Sequence, residues 1–231
     1  MDTESKRSQY HTATYQASGS AMMSFTPINA IHQHLCAFHV YSTDHTRHVR
    51  AHHFCMCRSK DFHQCIIYDS EQPDARLIGI EYIVSEKVFK DLSEDEKRYW
   101  HSHKYEVESG LLQLRTKALV PAVAVDTAEQ PAMLELQQTY GKTIHTWAYD
   151  THPELPLGPP SLMMAYTGDG QGPPPALLKE RDAQCGMDTA AKKQLRAGYL
   201  PAYETVQGSD AWVETGKAVL FEPVEREIQK Q

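Results

Sequence analysis

Apolar residues recur at Ile28, Ile31, Leu35 and Phe38, a spacing of i, i+3, i+7 and i+10 that predicts an amphipathic helix from Pro27 to about Tyr41. Pro27 suits its first turn. Further on, Cys65–Asp69 and Leu77–Ser85 are rich in Ile, Val and Tyr and are separated by Gln72, Pro73 and Asp74, which predicts two paired strands. Glu81 interrupts the second of these. A carboxylate is costly inside a core without a partner, so Glu81 is expected on the solvent face, with pairing to Arg76 or support of a ligand histidine as alternatives. Ser93 with Glu96 three residues on forms a capping box that starts a helix. Leu111–Leu114 and Val120–Val125 are strand candidates, Pro131–Tyr140 is a short helix stopped by Gly141, and Thr143–Tyr149 alternates as a strand. Residues Pro153 to Pro175 hold seven Pro and four Gly, which predicts a loop. Ala176–Tyr199 favours helix, and Lys217–Val224 returns as an edge strand. The order predicts an α+β single domain over residues 27–226, with a mostly antiparallel sheet and flanking helices. The polar residues 1–26 are expected to be a flexible arm and 227–231 a tail.

Charge and composition narrow the function. The 231 residues carry 23 Lys and Arg against 30 Asp and Glu, a net charge of -7, which argues against a nucleic-acid partner. No apolar run reaches the roughly 18–20 residues of an integral membrane span, and no signal-peptide pattern opens the chain, so a cytoplasmic protein is expected. Five Cys, four of them between Cys36 and Cys65, point to thiols rather than a disulfide framework.

Histidine is the feature that suggests chemistry. Ten of the 13 His fall between His32 and His103. On the expected first helix His32, Cys36 and His39 share a face, although a packed helix with a partly polar face explains them as well. His52 and His53 are adjacent, so on a strand they face opposite ways and at most one is a ligand. Cys55–Met56–Cys57 with Cys65 lacks the paired spacing of a structural zinc site, and a thiol-dependent redox protein built on these residues ranks last among the readings. The sharper motif is His101–Ser102–His103–Lys104–Tyr105–Glu106, with His145 on a later strand. It resembles the metal motif of the cupins, and that resemblance implies a cupin-like sheet. A metal held by His101, His103 and Glu106, with His52 or His145, is one reading, and a hydrogen-bonded His pair is the other. Glu106 lies three residues after His103, so a bulge or turn is needed to bring it to a shared strand face. Such a set favours iron(II), with manganese, copper or zinc as alternatives, and Tyr105 or His39 is a candidate acid–base group beside it. The function expected on this reading is a non-haem iron oxygenase acting on a small-molecule substrate, as a homo-oligomer.

Several longer motifs carry a family resemblance: His52–His53–Phe54–Cys55, Ile67–Tyr68–Asp69–Ser70, Ala75–Arg76–Leu77–Ile78–Gly79–Ile80–Glu81–Tyr82, Trp100–His101–Ser102–His103–Lys104–Tyr105–Glu106–Val107, Tyr140–Gly141–Lys142–Thr143 and Leu155–Pro156–Leu157–Gly158. In order and spacing, from Pro27 to Gln171, the chain resembles the oil-body-associated protein family. The resemblance implies a location, on seed oil bodies in plant members, rather than a reaction. It therefore sustains an alternative to the enzyme: a non-catalytic protein of lipid droplets, or one that binds another protein, with a structural histidine cluster. An open coordination position lined by a pocket separates the two, since structural sites are closed.

Overall fold

The computed structural model describes residues 2–117 and 119–229; part of the expected tail, at 230 and 231, lies outside the described residues, as does Met1 of the expected arm. The chain divides into two units, Met1–His32 and Gln33–Gln231. The first holds α1 (Thr3–Gln9), α2 (Ala13–Met22) and α3 (Thr26–Asn29), where no regular structure was expected before Thr26. The Asp2 and Thr12 side chains cap the first two helices, and none of the helical residues is buried. Local capping and propensity form these helices, so they carry no apolar stripe to betray them.

The second unit runs β1 (Gln33–Tyr41), β2 (Asp44–Ser59), β3 (Phe62–Tyr68), β4 (Leu77–Ser85), α4 (Glu86–Lys90), α5 (Glu94–Lys97), β5 (His101–Ser102), α6 (Lys104–Glu108), β6 (Gln113–Leu114), α7 (Ala122–Leu136), β7 (Thr139–His145), β8 (Ser161–Met164), α8 (Pro175–Cys185), α9 (Thr189–Ala197) and α10 (Ala211–Thr215). Strands β1, β2, β3, β4, β7 and β8 pair antiparallel in that order, and β8 pairs back to β1, which closes a six-stranded barrel. Strand β5 adds to β7 and β6 to β1. This is the expected α+β architecture with a cupin-like barrel.

The segment expected as a helix from Pro27 to Tyr41 is instead the four-residue α3 followed by strand β1. Every residue of β1 from Leu35 to Tyr41 is buried, because one face lines the barrel and the other lies under the elements outside it. A strand buried on both faces reads as a continuous apolar run, which fits helical spacing by chance. Val120–Val125 enters helix α7 after Pro121 rather than a strand, and α7 continues past Pro131. Strand β8 lies within the Pro-rich segment, where Ser161–Met164 closes the barrel. Lys217–Val224 forms no strand, although Val219 and Phe221 pack on the outer cluster of Phe38, Val40, Leu162 and Met164. The β3–β4 pair matches expectation, and the Ser93 hydroxyl accepts from Glu96 N as the capping box requires. Cys55 and Cys65, register partners with Cα atoms 4.1 Å apart, form a disulfide, contrary to the expectation of thiols alone. A closely spaced antiparallel pair brings two facing cysteines within bonding reach even in a sequence with no disulfide framework.

Candidate metal centre

The barrel interior is layered. On β4, Ile83 belongs to one apolar cluster and Ile78 to another, with Glu81 between them; on β2, His53 separates Cys55 from Ala51; on β1, His39 separates Ala37 from Tyr41. A histidine and carboxylate layer is thus held between two apolar plugs. Strand β5 ends at Ser102, and the chain turns into α6 at His103, whose backbone is helical. That turn brings two side chains to one point: His101 Nε2 and His103 Nε2 each lie 3.4 Å from Glu81 Oε1. From β2, His53 Nε2 lies 3.2 Å from Glu81 Oε2. His39 Nε2 lies 3.2 Å from His53 Nε2, and His39 Nδ1 lies 3.0 Å from His145 Nε2.

Supporting groups fix the orientation. Thr143 donates to Glu81 Oε1 at 2.7 Å. Thr139 donates its hydroxyl proton to the Leu136 carbonyl, so its oxygen accepts from His103 Nδ1 at 2.9 Å. The His103 tautomer that follows leaves the Nε2 lone pair facing Glu81, as an outer partner does for a metal-ligating imidazole. Gly141 leaves the space open. A Cβ there would sit 2.8 Å from both His101 Nε2 and His103 Nε2, and closer still to Glu81 Oε1.

Electrostatics point the same way. Burial pushes His39, His53 and His103 below the ordinary imidazole value, and His145 to about 3. Burial opposes ionisation of Glu81, but the facing His53, His101 and His103 outweigh it and hold the carboxyl well below the usual range. Ionised Glu81 needs positive charge beside it at this depth, which a protonated imidazole or a bound cation supplies. His101 Nε2, although 3.4 Å from Glu81 Oε1, makes no hydrogen bond of good geometry among the described residues. Imidazole nitrogens and carboxylate oxygens are the donors of a divalent transition metal: Glu81 forms one group with His101 and His103 and another with His39 and His53, the ligand atoms of each within 4.8 Å of one another, and these residues fit such an ion.

The sequence-predicted residues fall unevenly around this centre. His101 and His103 stand in it. Glu106, on α6, joins no group of ligand atoms within 4.8 Å of one another among the described residues. Burial, then the charges of Glu81 and Asp210, push its carboxyl well above the usual range. The carboxylate at the histidines is Glu81, which is 2% exposed and not on the solvent face. Arg76 pairs with Asp69 instead, at 2.6 Å. His145 reaches the layer through His39. His52 lies on the other face of β2 from His53 and bonds His34. His39 lies in the layer, whereas the Tyr105 hydroxyl donates to Asp169, at 3.0 Å. His53 and Glu81 were the residues that sequence reasoning missed. The signal for Glu81 was parity: Gly79, Glu81 and Ile83 are buried and alternate with the exposed Ile80 and Tyr82.

Comparison with known proteins places the chain. The family described as "Protein of unknown function (DUF1264)" matches residues 25–199. Oil body-associated protein 1B of Arabidopsis thaliana is 42% identical over 186 residues, which cover 80% of this chain and 74% of that protein. Oil body-associated protein 1A of Zea mays is 43% identical over 171 residues, 74% of this chain and 69% of the relative. Oil body-associated protein 2A of Arabidopsis thaliana is 38% identical over 214 residues, 92% and 84% of the two chains. No solved structure matches. On a family match that spans most of the barrel and relatives this similar over most of their length, the chain belongs to the DUF1264 family, that of the oil body-associated proteins.

Proposed function

We propose that the protein is a non-catalytic, metal-binding member of this family, with a divalent ion held at the barrel centre by His53, Glu81, His101 and His103. Three imidazoles and one carboxylate suit iron(II), manganese, copper or zinc. The observation that carries the non-catalytic reading is closure: all four side chains are at most 4% exposed and lie between two apolar clusters. Catalytic centres keep a position open to substrate. The ion's role here is to neutralise Glu81 and to tie β2, β4 and the β5–α6 turn together. Removing the ion from purified protein should lower its melting temperature, and restoring the ion should recover it. A melting temperature indifferent to the ion contradicts this role.

The printed names of the relatives support a location at lipid droplets, and Leu77, Ile80 and Tyr82 present apolar side chains on the outer face of β4. Flotation with phospholipid-coated triacylglycerol droplets tests this. The protein should float with the droplets, and the Leu77→Lys, Ile80→Lys double variant should float less; equal recovery of both, or none of either, contradicts it.

A second reading, the iron-dependent oxygenase, rests on His39 and His145, two imidazoles beyond the four ligands, His39 in contact with His53 and His145 with His39. On this reading iron would supply dioxygen chemistry, and the substrate would be a small molecule admitted by opening of the barrel. Oxygen consumption by the iron-loaded protein, lost in His39→Ala, would favour this reading over the first.

A further inference from the structure

A second group of ligand atoms lies on the outer side of the β1–β2 pair. Cys36 on β1 and His52 on β2 are register partners, and both point away from the barrel centre that takes His53 and His39. Helix α8 ends at Cys185, where Gly186 turns the chain with φ 61°, and this brings the Cys185 thiol to Cys36. Cys36 Sγ, Cys185 Sγ and a His52 ring nitrogen lie within 4.8 Å of one another, and Cys36 Sγ is 3.9 Å from His52 Nε2. Three soft or borderline donors from β1, β2 and α8 thus meet at a buried point.

The surroundings prepare these donors for a cation. His34 Nε2 lies 3.0 Å from His52 Nδ1, and His34 Nδ1 lies 3.9 Å from Glu71 Oε2. With Nδ1–H of His52 donating to His34, the His52 Nε2 lone pair faces the two thiols. Imidazoles that bind metal are oriented through their second nitrogen in this way. His34 is itself held by stacking on Phe54, with ring centroids 4.2 Å apart. Arg115 pairs with Glu71 and donates to the Cys185 carbonyl, which fixes the end of α8 beside the group. Cys36 and His52 are buried, whereas Cys185 is half-buried and borders a cavity of about 780 Å³ that Glu71 and Arg115 also line. The cavity gives an ion a path to the donors and leaves room for a water as a fourth ligand.

We infer that Cys36, His52 and Cys185 form a second cation site, specific for a thiophilic ion such as Zn²⁺. Binding displaces the two thiol protons to solvent, so two thiolates balance the two charges of the ion. The site shares no ligand with the barrel centre and stands whether or not that centre binds metal.

Co²⁺ is the probe, because thiolate ligation gives a near-ultraviolet charge-transfer band that nitrogen and oxygen ligands do not. The titration uses metal-free protein in a Cys57→Ser background, where Cys36 and Cys185 are the thiols outside the Cys55–Cys65 disulfide. The expected result is a band that saturates near one Co²⁺ per chain, is abolished by excess Zn²⁺, and falls at least about tenfold when Cys185→Ser is added. Cys185 is half-buried at a helix end, so this variant should fold, and its circular dichroism is checked against the parent. Absence of the band in the folded parent, or an equal band in Cys185→Ser, would overturn the inference.

Discussion

Gly141 shows how a single backbone position keeps the barrel centre open. Because a methyl group there would press on Glu81, His101 and His103 at once, Gly141→Ala is expected to cost about 1–3 kcal/mol and to empty the centre of metal. Denaturant unfolding and elemental analysis of the same preparation check both effects; full metal content in a normally stable variant contradicts the assignment. Asp210 offers a test by pH. Burial raises its carboxyl to about 6 from 3.8, while its oxygens accept from Ser102 N at 3.1 and 3.3 Å. The native state therefore holds a proton that the unfolded chain releases above 3.8, so the Asp210 contribution is full below that value and is lost as pH rises to about 6. Asp210→Asn should gain on the order of 2–3 kcal/mol relative to the wild type between pH 4 and 7. The left-handed backbone at this residue, φ 50°, accommodates asparagine. Equal pH dependence in the two proteins would remove the cause given for the shift. At this scale His101 and His103 were legible from their spacing, whereas Glu81 was not. Its strand carries apolar side chains outward at Leu77, Ile80 and Tyr82, so hydropathy assigned the wrong face as buried.

Elements reached the site by routes that local pattern reveals only in part. The β3–β4 hairpin and the Ser93 cap were visible, because turn residues and capping boxes are local signals. Strand β1 was mistaken for a helix because both its faces are covered, and β8 was hidden among prolines because its four residues acquire strand geometry from β1 and β7. Helix α9 makes a tertiary contribution of the same hidden kind. Its Arg196, fully buried, donates to the Val107 and Leu112 carbonyls at 2.6 and 2.8 Å and pairs with Glu129 on α7 at 3.2 Å. It thereby satisfies carbonyls that follow the His103–Glu106 turn. Arg196→Ala leaves these acceptors and Glu129 without this partner in the core and should destabilise by about 3–5 kcal/mol. Adding Glu129→Gln should recover part of that loss, since Lys192 at 2.9 Å then remains as the partner of position 129. A double-mutant cycle with denaturant unfolding measures the coupling; strict additivity would contradict a direct pair.

For the whole molecule, the closed barrel explains why distant segments meet. The resemblance read from the motifs gave the family, and the comparisons bear it out. The two His of the 101–103 motif gave half of the central donor set, but the partners His53 and Glu81 depend on which strands close the ring, a property of the chain as a unit. The central claim is that these four side chains hold one divalent ion. The most direct measurement is elemental mass spectrometry of untagged, chelator-free protein in a Cys185→Ser background, which leaves the barrel centre as the site under test, with Glu81→Gln and His101→Ala alongside. The account predicts about one transition-metal ion per chain, lost in both substitutions while each variant keeps its folded circular dichroism. Metal retained in both, or protein that stays metal-free after anaerobic reconstitution with iron(II), manganese, copper and zinc, would contradict it.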